Sequence, residues 1–268
     1  MVAIQPCALL LLIGPDWQVE TVSANVAMLG DYRPASVVGQ PLADLIGSKA
    51  IHALRNRMSW LASDESEVLD FGVEWGDLTL DLRATRGHDN YLVEAELAVE
   101  PRLPDGIGMV RSMSDRLSNS DPLALATQAM QQIAAISGFE RVVLADRRGE
   151  QIASNNRKPS GDVPRLPGDL TRIVADRDAE PVPLVGDAEN ILLQRVDHLA
   201  PGDGLREQLE QAAVGAIISL PLRIDGELVG AVHAFHGSPR RCGAERRSVI
   251  HLFAERLVAR MARQGWQP

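Results

Sequence analysis

The stretch from Val214 to Arg240 places the strongest constraint on what this chain can fold into. Asp225-Gly226 separates two apolar runs, and this dipeptide is typical of a two-residue β-hairpin because a type I′ turn needs positive φ at both central positions. The alternation before the turn predicts one buried face, made of Ile218, Leu220, Leu222 and Ile224. After the turn, it places Leu228 and Val232 on one face and Val229 and Ala231 on the other. The stretch therefore predicts two strands of a central antiparallel sheet.

The first hundred residues predict a second sheet. Strands are expected at 7–13 and 17–22, then short helices, then three strands at 67–74, 77–85 and 91–99. Between the two groups of strands an amphipathic helix is predicted from apolar residues at helical spacing, namely Ile51, Leu54, Met58 and Leu61.

Helices are predicted on both sides of the hairpin in the second half of the chain. Asp121-Pro122 is a favourable helix start, followed by an apolar stripe over 123–136. Leu205 and Leu209 indicate a helix just before the hairpin, and 245–262 is the last helix. On this last helix the apolar stripe contains Ile250, Phe253, Leu257 and Met261.

Length and charge narrow the function classes. The 268 residues predict two domains, and the net charge of −9 argues against a nucleic acid or an anionic membrane as partner. Two cysteines provide neither a disulfide framework nor a zinc cluster. The apolar run Cys7–Ile13 is too short to span a bilayer, so we expect a cytoplasmic protein with no membrane partner.

Three runs carry a resemblance to one family. Ile4-Gln5-Pro6 followed by Ala8-Leu9-Leu10 resembles the Ile-Gln-Pro-His-Gly-Ala-Leu that opens the phytochrome PAS domain. The run Arg172–Leu184 is similar to the bacteriophytochrome run Arg-Leu-Ile-x-Asp-Val-x-x-x-Pro-Val-Pro-Leu. The hairpin followed by His-Gly-Ser-Pro-Arg at 236–240 resembles the second half of a phytochrome GAF domain. The runs occur in family order.

The resemblance implies an α+β chain in which a PAS domain precedes a GAF domain, each a central antiparallel sheet flanked by helices. We place the PAS domain at 1–100, a connector at 101–120 that is helical around Met109–Leu117, and the GAF domain at 121–268.

The resemblance also implies positions for a linear tetrapyrrole. By family position these are the surviving histidine of a tandem pair, the residue in place of its partner, the residue in place of a helix-start histidine, and two arginines for the propionates: His236, Phe235, Leu205, Arg172 and Arg177.

Several residues that the family uses to hold its bilin are different here. Plant and cyanobacterial phytochromes attach it through a cysteine where this chain has Gly204, and bacterial ones use a cysteine upstream of Ile-Gln-Pro, where Met1, Val2 and Ala3 lie. The Asp-Ile-Pro segment is absent, and we expect the nearest carboxylate, Asp169, to cap a helix. Cys7 is expected to be a small buried residue of the first strand.

The sequence contains no recognisable catalytic or metal motif. His233, His236 and Cys242 match no standard zinc spacing, and strand residues of opposite parity face opposite ways. No Gly-x-Ser-x-Gly, phosphate loop or His-Glu-x-x-His occurs. We therefore expect no metal site and favour a backbone-bonded, sheet-end role for His236.

Three functions follow, in order of preference. The first is a non-enzymatic sensory or regulatory module in signal transduction that binds an unknown protein partner, has no cofactor, and forms a homodimer through its GAF helices. The second is a photoreceptor-like sensor that binds biliverdin or haem non-covalently in a non-standard pocket. The third is a tetrapyrrole-processing enzyme, which the lack of an acid–base constellation disfavours.

Overall fold

The computed structural model describes residues 2–61, 66–75, 77–87, 89–118, 121–155, 164, 166–187 and 193–266. The chain forms two compact units. The first unit comprises Met1–Ala98 and Ala179–Ala200, and the second comprises Val99–Asp178 and Pro201–Pro268. The segment 179–200 therefore packs with the first unit, although the sequence on both sides of it packs in the second.

The strands of the described residues are named in chain order. They are β1 (Ala3–Ile4), β2 (Ala8–Ile13), β3 (Val19–Ser23), β4 (Glu67–Trp75), β5 (Leu78–Arg86), β6 (Tyr91–Leu97), β7 (Arg141–Asp146), β8 (Gln151–Ser154), β9 (Arg172–Val174), β10 (Val182–Gly186), β11 (Ala216–Ile224) and β12 (Glu227–His236). The α-helices are α1 (Pro34–Val37), α2 (Leu42–Ile46), α3 (Ser48–Met58), α4 (Gly106–Asp115), α5 (Pro122–Ser137), α6 (Asp203–Gln211) and α7 (Ala244–Arg263). Short 3₁₀ helices cover Ala24–Leu29 and Leu193–Arg195.

The first unit is built on a seven-stranded antiparallel sheet in the order β1-β10-β3-β2-β6-β5-β4. One face packs against the helices, where Ile51, Leu54 and Met58 of α3 are buried as the helical spacing predicted. The other face is also covered, since Leu10 and Leu12 cluster with Val196 of the later segment. Strand β2 is buried on both faces, which explains its uninterrupted apolar sequence.

The second unit is built on a five-stranded antiparallel sheet in the order β8-β7-β12-β11-β9. Strands β11 and β12 form the predicted hairpin, and both turn residues have positive φ, 51° at Asp225 and 83° at Gly226. The predicted alternation holds for β11, where Ile218, Leu220 and Leu222 face the same core.

The alternation predicted for β12 is wrong near the turn. A bulge lies opposite Leu222 and Arg223, and it brings Val229 into the same core cluster as Val232 instead of onto the opposite face. A bulge inserts one extra residue into a strand, so the parity of the side chains changes at that point. Leu228 is half-buried.

Helices α4, α5 and α7 pack on one face of the second sheet. Helix α5 begins as predicted, because the Asp121 carboxylate accepts a hydrogen bond from Ala124 N at 2.8 Å. Leu257 of α7 is 1% exposed and lies inside this core. No helix of the described residues is both long and apolar enough to cross a membrane.

Two local predictions are wrong. No helix begins at Asp169, because residues 168–170 form a bend that leads into β9, so this exposed carboxylate caps no helix. Cys7 is only half-buried and lies in a turn, one residue before β2 starts. Strand β2 begins one residue later than predicted, and the element that follows Asp169 is a strand, not a helix.

Candidate functional site

The second sheet has a face opposite helices α4, α5 and α7, and by family position the tetrapyrrole residues are expected on this face. Strand side chains form one apolar cluster here with residues of α6 and of adjoining loops: Val143, Leu166, Val174, Leu209, Ala212, Val214, Ile217 and Phe235. Leu205 of α6 packs against this cluster. The structure therefore brings together Phe235 and Leu205, two of the five predicted site residues.

The loop before β9 lies directly on this face. Leu166 belongs to the apolar cluster, and Ser219 Oγ donates a hydrogen bond to Pro167 O at 3.4 Å. At the next residue, Gly168, a Cβ atom would lie only 3.2 Å from Ala231 Cβ. The backbone of Pro167 and Gly168 therefore covers the sheet at Ser219 and Ala231.

His233 is the polar side chain that stands out on this face. It is 4% exposed, and its ring centroid lies 6.3 Å from that of Phe235. Among the described residues, Nδ1 of this imidazole has no hydrogen-bond partner. Burial lowers the pKa of His233 to about 4, so the ring is neutral at pH 7.

His236 lies at the end of β12 and is not part of the apolar cluster. Its Nδ1 lies 2.9 Å from Ser238 O and 3.2 Å from Ser238 N, and its Nε2 lies 3.8 Å from Glu140 Oε1. Its ring packs edge-on against Phe139 at 6.0 Å. These contacts are those of a backbone-bonded residue at a sheet end.

The two arginines are separated from each other. Arg177 donates two hydrogen bonds to the Asp178 carboxylate, at 2.9 and 2.7 Å, and one to Val214 O at 3.0 Å. Arg172 is half-buried in β9, where it pairs in register with Ser219. Arg177 therefore holds the loop that follows α6, while Arg172 is the arginine beside the covered face.

The first unit contains a group of buried charges that sequence reasoning missed. Arg83 Nε lies 2.7 Å from Glu67 Oε2 and 3.3 Å from Asp197 Oδ2, and its Nη1 lies 2.9 Å from Glu94 Oε2. His198 Nδ1 lies 3.1 Å from Glu94 Oε1. None of these residues was among the predicted site residues. Residues 195–198 cover the face of the sheet on which Arg83 lies.

The two buried carboxyls of this group differ in pKa. Burial raises the pKa of Asp197 to about 6, with the help of the Glu94 and Glu67 charges and against the attraction of Arg83. Burial alone would also raise the pKa of Glu94, but hydrogen bonds from His198 and the Arg83 charge lower it to about 2. Glu94 therefore stays ionised in the pH range in which Asp197 takes up a proton.

In the described part of the chain, no group of three or more His, Cys, Asp or Glu side chains is placed to hold a metal ion. His233 packs beside Phe235, whereas the Nδ1 atom of His236 is bound to Ser238. Cys242 is buried in the helix-side core.

Comparison with known families agrees with the architecture. The PAS fold matches residues 2–98, and the GAF domain matches residues 121–264. No curated protein sequence gives a significant match.

Solved structures give the same fold at low identity. The photosensory core module of Stigmatella aurantiaca phytochrome matches at 20% identity with a TM-score of 0.79, over 98% of this chain and 58% of that one. The chromophore-binding domain of Stigmatella aurantiaca phytochrome P1 matches at 20% with a TM-score of 0.78, over 96% and 95%. That of the bacteriophytochrome RpBphP3 from R. palustris matches at 21% with a TM-score of 0.77, over 98% and 95%.

This chain thus spans 58% of the length of the photosensory core module, and nearly all of the smaller chromophore-binding domains. The GAF match alone covers more than half of the 268 residues. The chain belongs to the GAF domain family and forms, with its PAS fold, a phytochrome-like PAS–GAF module.

Proposed function

We propose that this protein is a non-enzymatic sensory or regulatory module of the cytoplasm, which carries no covalently attached bilin and acts by binding another protein. The observation that carries the proposal is the covered face of the second sheet. Leu166 and Phe235 lie there in one apolar cluster, and the backbone of Pro167 and Gly168 lies on the strands.

The residues present do not fit a covalently held bilin. Gly204 has no side chain with which to form a thioether, and Leu205 next to it packs into the apolar cluster. Pyrrole N–H groups placed against such a cluster would lack acceptors, and each buried unpaired donor costs about 1–3 kcal/mol. Arg177, one of the two candidate partners for the propionates, already binds Asp178 and Val214 O.

We expect no covalent bilin after co-expression with a haem oxygenase. The protein is purified and denatured, and zinc-induced fluorescence of the band is recorded beside a bacteriophytochrome chromophore-binding domain made in the same cells. The expected result is a fluorescent band in the reference lane alone. A fluorescent band for this protein, or a far-red absorption peak that shifts on illumination, would refute the proposal.

One observation favours the second function, a sensor with a non-covalent ligand. The buried, neutral His233 has an Nδ1 atom with no partner among the described residues, and a ligand could supply one. The native protein purified from the same cells tests this function, because biliverdin or haem that co-purifies is seen in its absorption spectrum. Loss of that spectrum on His233→Leu would assign the ligand to this face.

The helices of the second unit support a homodimer. Three large apolar side chains on its helices are exposed, Ile107 of α4, Leu123 of α5 and Leu252 of α7. Leu257, from the predicted apolar stripe of α7, cannot test the dimer because it belongs to the core of its own unit. Leu252 is the residue of α7 that can be changed without opening that core.

We expect Leu252→Glu to raise the dimer dissociation constant at least about tenfold, since burying one leucine contributes about 1.5–3 kcal/mol. Sedimentation velocity over a concentration series measures the effect. Leu193→Glu is the matched control, because Leu193 is 39% exposed, against 41% for Leu252, and lies in the first unit. A monomeric wild type at high micromolar concentration, or equal effects of the two changes, would count against the helical interface.

A further inference from the structure

Residues 193–200, called the strap below, form the last part of the segment 179–200 that packs with the first unit. The chain leaves the second unit after Asp178, contributes β10 and the strap to the first, and re-enters the second at Pro201. The strap is fixed to the N-terminal residues by backbone hydrogen bonds, Gln5 N to His198 O at 2.8 Å and Ala200 N to Ala3 O at 3.0 Å.

The strap covers a face of the first sheet on which carboxylates outnumber cationic groups. Four carboxylates meet one guanidinium and one imidazole: Glu67, Glu94, Glu96 and Asp197 against Arg83 and His198. Two neighbouring charged groups have other partners, since Arg195 donates to Arg86 O and Asp81 accepts from Gly72 N at 2.9 Å. Because carboxylates outnumber cations at this site, the excess negative charge favours uptake of a proton.

The hydrogen bonds decide which carboxylate takes the proton. Glu94 accepts from Arg83 and from the backbone N atoms of Asp197 and His198, both at 3.1 Å, which stabilises its charge. Asp197 has the longer 3.3 Å contact with Arg83 Nε and lies next to the Glu94 charge. Glu67 is partly exposed, so water stabilises its charge. Of these three acids, Asp197 has the least stabilised charge.

We propose that the strap is a proton-responsive clasp, held more tightly on the first sheet as Asp197 takes up a proton under mildly acidic conditions. The chain enters the second unit directly after the strap, at Pro201, so pH can act on the module through docking of the strap.

The direction of the effect follows from the two folded-state pKa values. Docking raises the pKa of Asp197 from 3.8 to about 6, so the docked strap binds the proton more tightly than the released one. Docking is therefore favoured about tenfold at pH 5.0 relative to pH 7.5. Docking lowers the pKa of Glu94 from 4.5 to about 2, so its contribution is lost as pH falls from 4.5 towards 2. The two contributions together hold the strap most tightly near pH 4.

Hydrogen exchange on the whole protein tests the clasp. Amide exchange of residues 193–200 is followed at pH 7.5, 6.0 and 5.0 and corrected for the intrinsic change of the exchange rate with pH. The expected protection rises about tenfold from pH 7.5 to 5.0. Asp197→Asn should make protection independent of pH over this range, while Asp31→Asn, an exposed aspartate of the same unit, should leave the rise unchanged.

A measurement on the wild type alone guards against a variant that fails to fold. In a ¹³C carboxyl titration, Asp197 should change protonation near pH 6. A midpoint near 4, or protection that stays flat or falls between pH 7.5 and 5.0, would overturn the proposal.

Discussion

Arg83→Met should lower the free energy of unfolding of the first unit by about 3–5 kcal/mol. Methionine replaces the unbranched aliphatic part of the side chain but removes the cation that contacts Glu67, Glu94 and Asp197 at 2.7 to 3.3 Å. The remaining carboxylates would be buried next to one another without a guanidinium. Removing one partner of a buried pair costs far more than the net contribution of the pair, because the other charge is left without compensation.

The loss should be largest at neutral pH and smaller near pH 5, where Asp197 is protonated and less negative charge stays uncompensated. Urea unfolding followed by tryptophan fluorescence reports mainly on the first unit, which holds Trp17, Trp60 and Trp75. Arg33→Met is the matched control, since this exposed arginine of the same unit should change stability by less than about 0.5 kcal/mol. Equal losses for both arginines would contradict a buried charge group.

The elements with a strong local signal could be predicted from the sequence. The turn at Asp225-Gly226 has its own backbone chemistry, and the cap at Asp121 has its own hydrogen bond, so neither depends on distant residues. Helix α7 was predicted at 245–262 and lies at Ala244–Arg263. At these three elements the local signals, namely turn chemistry, capping and apolar periodicity, are sufficient to indicate the structure.

The strap could not be predicted, because its partner is distant in sequence. Strand β10, which precedes the strap in the same segment, pairs with β3 about 160 residues earlier and with β1 about 180 residues earlier, and no local pattern encodes such pairings. Along β5, Arg83 alternates with the apolar residues Leu82 and Ala84, and the same pattern occurs where the polar side of a strand faces solvent. A buried charge on a strand looks the same in sequence as a solvated one, so the charge group was missed.

The structure brings only part of the predicted site residues together. Phe235 and Leu205 are apolar and were placed in the same cluster as Leu209, whereas His236 and Arg177 found partners in their own loops. Those partners are a backbone carbonyl and a neighbouring aspartate, which family position alone does not reveal. His233, which was not among the predicted site residues, lies on the same face as Phe235, and the signal for this was its parity with Phe235 on β12.

Gly230→Ala should lower the free energy of unfolding of the second unit by about 3 kcal/mol or more. A Cβ atom at this position would lie 2.3 Å from Ala145 O, which is far inside van der Waals contact. The obstacle is backbone, so no side chain can rotate away. Strand β12 is also held between β7 and β11, and separating it from β7 would break hydrogen bonds of the central ladder.

Gly204→Ala is the matched control, because it is expected to raise the stability that Gly230→Ala lowers. Gly204 is an exposed residue of α6, and a Cβ atom there would meet nothing within 4 Å. Alanine in a helix should raise stability by about 0.5–1 kcal/mol, because it restricts the unfolded chain and favours helix. Calorimetry of both variants, with hydrogen exchange at 141–146 to locate the change, should give melting temperatures that move apart. If Gly230→Ala melts with the wild type, strands β7 and β12 are not paired as described, and the apolar face next to Ala231 must be rebuilt on another register.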